Sequence, residues 1–126
     1  VVSNRPALEQ LRSMLAGRDA EGGPVPAGLQ SEDPLARPWP EVQGELSRLH
    51  QSFVDEVRQA AETLGDDPGQ ATAPIEMVVR CVTPEGSRAV HWEERLDWKA
   101  FALAGRVHAL EHLAQVQRTL EALDSP

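Results

Sequence analysis

The chain has 126 residues, 40% of them hydrophobic and 25% charged, the balance of one globular domain with a single core. Its formal net charge is −8, with 12 basic residues against 20 acidic ones, which argues against nucleic-acid binding because that needs a basic face to displace counterions. No apolar run approaches the roughly 18 residues of a spanning helix. No basic-then-apolar leader opens the chain, and the lone Cys81 cannot close an internal disulfide. Together these set an expectation of a cytoplasmic chain with no direct membrane contact.

Val1 and Val2 read as the end of a strand. Asn4 followed by Pro6, with apolar residues at Ala7, Leu8, Leu11, Met14 and Leu15, reads as a helix cap and a short helix that Gly17 can stop. From Asp19 to Pro38, glycines and prolines at 22, 23, 24, 26, 28, 34 and 38 predict a loop with at most a short helical turn. Pro40 then suits the start of a helix. Val42, Leu46, Leu49, Phe53, Val57, Ala60, Ala61 and Leu64 recur at helical spacing, with most charges on the other faces. Gly65 and Pro68 end it.

After Pro74 the period changes to two. Ile75, Met77, Val79 and Cys81 point one way, and Glu76, Val78, Arg80 and Val82 the other. Pro84-Glu85-Gly86-Ser87 is a turn signal, after which Val90, Trp92, Leu96 and Trp98 share a face. This predicts an antiparallel hairpin. Phe101, Leu103 and Val107 suit a third strand. A helical stripe follows at Leu110, Leu113, Val116, Leu120 and Leu123, predicting a core over 1–108 and an exit helix over 109–126 within one domain.

This order of elements resembles a PAS domain, a small sensory module of bacterial signalling proteins. Three stretches carry the resemblance. "VVSNRPALEQL" looks like the end of the family's second strand running into a helix start at Asn4, Ala7 and Leu11. "IEMVVRCVTPEGSRAVHWEERL" is similar to its hairpin, through Glu76, Arg80, Glu85, Gly86, Ser87 and Trp92. Gly105 followed by late leucines looks like its last strand and exit helix. Two departures stand out: Ala109-Leu110-Glu111-His112 replaces the family's "D-I-T-E" latch, and the family's first strand is not visible. The fold expected is α+β, a PAS-like antiparallel sheet with helices on one face and a C-terminal amphipathic exit helix.

The resemblance implies a cavity between sheet and helices, for which the candidate lining is Phe53, Val57, Met77, Val79, Val90, Trp92, Phe101 and Leu103. A plain packed core explains the same stripes. The cofactor stays unknown. Cys81 lacks the "N-C-R-F-L-Q" setting of flavin photoadducts, the chain has no tyrosine, and His50, off the apolar stripe, is a poor haem ligand. His108 and His112 stand four apart beside Glu111, a spacing at which imidazoles can share a metal, but no third ligand is evident and solvated or interface histidines are the simpler reading. His91 suits a cross-strand polar pair. No nucleophile–base pair or phosphate-cradling loop supports a catalytic residue or an enzyme.

The terminal helix carries the functional expectation. Leu113 and Leu120, and Val116 and Leu123, are seven apart, as in a helix-pairing seam. With Leu110 they form the expected dimer or relay helix. The reading is a non-catalytic PAS-like sensor and dimerisation module of a larger signalling protein, a homodimer coupled to an output domain. The resemblance implies an output domain of two-component histidine-kinase or GGDEF-type cyclic-dinucleotide kind, and a small-molecule ligand as a further partner. The alternative is a small cystatin-like α+β binding protein or enzyme with a pocket between helix and sheet.

Overall fold

The computed structural model describes residues 4–20 and 36–123. Among these residues the fold is α+β: helices α1 (Asn4–Leu15) and α2 (Trp39–Leu64), strands β1 (Ala73–Thr83) and β2 (Gly86–Leu96), then helix α3 (Trp98–Leu123). The strands form one two-stranded antiparallel sheet. The strand read at Val1 and Val2 and most of the Gly/Pro loop lie outside the described residues.

Helix α1 buries the stripe that its spacing predicts. Leu8, Leu11 and Met14 are buried, Leu11 completely. Gly17 ends it with φ of 73°. The Gly17 amide donates to Met14 O at 2.9 Å and the Arg18 amide to Ser13 O at 3.0 Å, the paired closing bonds of a Schellman motif. Asp19 then reaches across the molecule. Its carboxylate accepts from the Thr72 amide at 2.8 Å and the Thr72 hydroxyl at 3.2 Å, while the Ala20 amide donates to Thr72 O at 2.9 Å. These bonds tie the exit from α1 to the entry of β1.

Helix α2 starts after Pro38, one residue before Pro40, whose missing N–H is no loss in a first helical turn. Gly65 closes it with φ of 57° and donates its amide to Ala61 O at 3.1 Å. Ala60, Val57 and Phe53 on its second half meet Leu11, Met14, Ala73, Trp98 and Phe101 in the core. On the first half, Glu45 is buried, although its spacing placed it among the polar faces. It is held by Arg5 and by Arg37, whose Nη1 lies 2.6 Å from Oε2. Two guanidinium partners compensate the desolvation that makes a buried carboxylate unfavourable.

The hairpin forms as expected, and its register sets Met77 opposite Trp92 and Val79 opposite Val90. Its turn centres on Pro84 and Glu85 between the paired Thr83 and Gly86, one residue earlier than the motif suggests. Gly86 takes φ of 136°, open to glycine alone without strain. The hairpin is anchored only at its base: Ala73 and Pro74 are buried, and exposure rises toward the turn.

The expected third strand is the start of α3 instead. Asp97 caps it, its carboxylate accepting from the Ala100 amide at 2.9 Å and its carbonyl from the Phe101 amide at 2.9 Å. Ala100, Ala102 and Ala104 favour helix, so the alternation of Phe101 and Leu103 carries no strand signal. Burial separates the two residues: Phe101 is 6% exposed and Leu103 60%, whereas a strand would turn both to one side. The exit helix therefore begins at Trp98, eleven residues before the expected boundary at 109. Trp98 itself leaves the hairpin face, is buried in the core, and donates its indole N–H to Asp67 O at 3.2 Å. Gly105 is helical too. A Cβ added there would lie 3.8 Å from Phe53 Cζ, so this is where α3 passes close to α2.

Candidate functional site

The eight expected cavity residues fall into separate groups. Phe53 and Val57 pack with Phe101 in the core. Met77, Val79, Val90 and Trp92 share one face of the hairpin by register, but Val79, Val90 and Trp92 are exposed. Leu103 lies on the outer side of α3. Among the described residues they do not fall into one packed group. The described residues cover the base of the sheet and leave Val79, Val90 and Trp92 on its face exposed. A shallow open groove exists elsewhere, at the end of α1 against the last turns of α2, lined by Leu15, Glu56, Gln59, Ala60, Thr63 and Leu64. Its one carboxylate, Glu56, already accepts from Arg12 Nε at 2.8 Å.

The second half of α3 is different in kind. Beyond Phe101 the described residues leave its apolar stripe uncovered: Leu103, Val107, Leu110, Leu113, Val116, Leu120 and Leu123 are all exposed, Leu113 by 65% and Leu123 by 76%. All five residues assigned to the dimer or relay helix lie on this segment. The stripe rotates around the helix as it ascends, because Val107, Leu110, Leu113 and Val116 follow at three successive steps of three, each short of a full turn of about 3.6 residues. From Leu113 the steps settle to three, four and three through Val116, Leu120 and Leu123. With these as seam positions, the flanking residues are Leu110, His112, Gln117 and Thr119, while Glu111, Arg118 and Glu121 point away.

His108 and His112 occupy another line of the same helix. Trp98, Phe101, Gly105, His108 and His112 follow at steps of three and four, so the histidines continue the stripe that faces the core, past the point where the core ends. Their Nε2 atoms are 3.0 Å apart and their rings nearly perpendicular, with centroids 4.4 Å apart. The pKa of His108 is lowered, by desolvation first and then by the neighbouring His112, with Glu111 opposing. Spacing alone singled out the pair. The shared line with Trp98 and Phe101 was hidden by reading those residues as strand.

The remaining expected groups are peripheral. His91 Nδ1 lies 3.0 Å from Glu76 Oε1 across the hairpin, the cross-strand polar pair expected of it, with Glu76 rather than a neighbour on its own strand. Cys81 is half-buried on the open hairpin face, not enclosed as a core thiol would be. His50 is exposed on α2. Two residues that sequence reasoning passed over organise the region: Asp97 as the cap of α3, and Glu45 between two arginines. An Asp ahead of an apolar 3–4 pattern is a readable cap signal; nothing local marks Glu45 as buried.

The carboxyls of Glu45 and Asp19 sit below their ordinary ranges, Glu45 chiefly through the Arg37 hydrogen bond and Asp19 chiefly through the Thr72 amide. A folded state that binds protons less readily than the unfolded chain is stabilised above the ordinary carboxylate range. It loses that contribution as the pH falls through the lowered folded values.

Among the described residues no helix is long and apolar enough to cross a membrane, and no group of three or more metal-ligating side chains converges. No protein-family model matches the chain, and neither curated proteins nor solved structures provide a significant match.

Proposed function

We propose that this chain is a non-catalytic assembly module that pairs with a second copy of itself through the second half of α3. The single observation that carries this reading is the uncovered seam from Leu113 to Leu123, four large aliphatic residues between 56% and 76% exposed. Burying such side chains contributes about 1.5–3 kcal/mol each when complete, so an uncovered seam favours a partner. Its chemistry suits a copy of itself. The chain carries a net charge of −8, which opposes self-association in general. Among the described residues the seam's flanks are uncharged, however, so two α3 helices can meet there without placing like charges side by side.

In this reading the PAS-like role in a larger signalling protein, with an output domain of histidine-kinase or cyclic-dinucleotide type, rests on the resemblance of the hairpin. The signal would be the state of the α3 interface rather than a ligand in a sheet cavity, because the proposed cavity residues are divided between the core and the open hairpin. Such a relay requires two discrete interface states.

Sedimentation equilibrium over a dilution series tests the pairing. The wild-type chain should show a mass of two chains that falls on dilution, and Leu113→Glu with Leu120→Glu should give 13.8 kDa monomers with unchanged helical circular dichroism. A monomeric wild type, or an oligomer that survives the double substitution, would refute self-pairing through this seam.

A further inference from the structure

We propose that His108 and His112 form a two-point site for a late first-row divalent transition cation. Three observations on the page support it, and none depends on the pairing of α3. First, the two Nε2 atoms converge at 3.0 Å. Nitrogens bound to one cation at about 2.05 Å each subtend roughly 94° at that separation. That is the angle between neighbouring positions of a square or octahedral shell, the geometry Ni2+ and Cu2+ prefer. Tetrahedral Zn2+ requires the pair to open by about 0.3 Å.

Second, the pair sits on the line that Trp98 and Phe101 direct at the core and that Gly105 carries past Phe53. Just past the core the chain places imidazoles at both positions of that line, while Leu103, Val107 and Leu110 occupy the other side of the same turns. Third, two perpendicular rings on an exposed helix gain little from each other alone. A single N–H···N bond competes with water on both sides, whereas a shared cation uses both lone pairs at once. The Glu111 carboxylate adds a negative charge that acts on His108 and favours a cation there. The two imidazoles leave other coordination positions open to water or a small anionic ligand.

Isothermal titration with NiCl2, and separately with ZnCl2, in a non-coordinating buffer tests the site. The Leu113→Glu/Leu120→Glu background keeps it apart from pairing. One saturable cation per chain is expected in wild type and in that background. His108→Ala or His112→Ala should weaken uptake by at least about tenfold, the low end seen even for loss of outer-shell partners. His50→Ala and His91→Ala should leave it unchanged. Circular dichroism checks that the variants, both exposed positions, remain helical, and His112→Gln should show the same loss without removing polarity. Absence of saturable uptake of either cation by wild type would overturn the proposal. So would uptake that survives His108→Ala with His112→Ala, or uptake that disappears in the Leu113→Glu/Leu120→Glu background.

Discussion

The two ends of α3 differ in what covers them. Its first turns carry Trp98 and Phe101 into a core shared with α1 and α2, are capped by Asp97, and pass within van der Waals reach of Phe53. Its later turns carry as many large apolar side chains, and the described residues cover none of them. Composition does not separate the halves; neighbours do. An apolar stripe is a request for a partner, and only the fold says whether the chain supplies one. The hairpin repeats the contrast, with a buried base at Ala73 and an open face at Val79, Val90 and Trp92.

Substitutions can test how sharply the packed and projecting regions divide. The largest effect belongs to Leu11→Ala. Leu11 has no exposed surface, and buried leucine truncations cost about 2.7–5 kcal/mol, depending on how far the cavity collapses. Urea unfolding should report a loss in that range; a loss below about 1 kcal/mol would mean that the core is loose and the contrast overstated. Asp97→Ala comes next. Removing a helix cap costs about 1 kcal/mol, and Asp97→Asn should restore most of it. Equal losses in both variants would point to charge rather than the Ala100 hydrogen bond. The smallest effect is expected at the hairpin tip. Val82 is 79% exposed, and Val82→Thr keeps the β-branched shape, so stability should shift by less than about 0.5 kcal/mol. A larger shift would reveal a neighbour on the open hairpin that the fold does not show.

Local chemistry was sufficient for much of this architecture. Gly17 and Gly65 mark where α1 and α2 stop, since a positive φ is open to glycine and strained for other residues. The alternation from Ile75 to Cys81 and the Pro-Glu-Gly turn specify a hairpin and nearly its register, because a period of two admits one assignment of faces. The stripe from Leu110 to Leu123 specifies a helix. Reasoning from period failed at Phe101 and Leu103, where two residues apart is too short a sample to separate a strand from an alanine-rich helix. The cap at Asp97, read together with the 3–4 spacing of Trp98, Phe101 and Gly105, would have resolved it.

What the sequence determined by itself is therefore α1, α2, the hairpin and the helical stripe after Leu110, since these follow from backbone preference and side-chain spacing along the chain. Tertiary structure alone decided which apolar faces are covered. Phe53, Val57 and Phe101 became core while Trp92, Leu103 and Leu113 stayed exposed, although all six carry the same hydrophobic signal. It also decided that Glu45 lies between Arg5 and Arg37 and that His108 and His112 extend a core-facing line. Burial depends on contacts between residues distant in the chain, and spacing within one element carries no information about them.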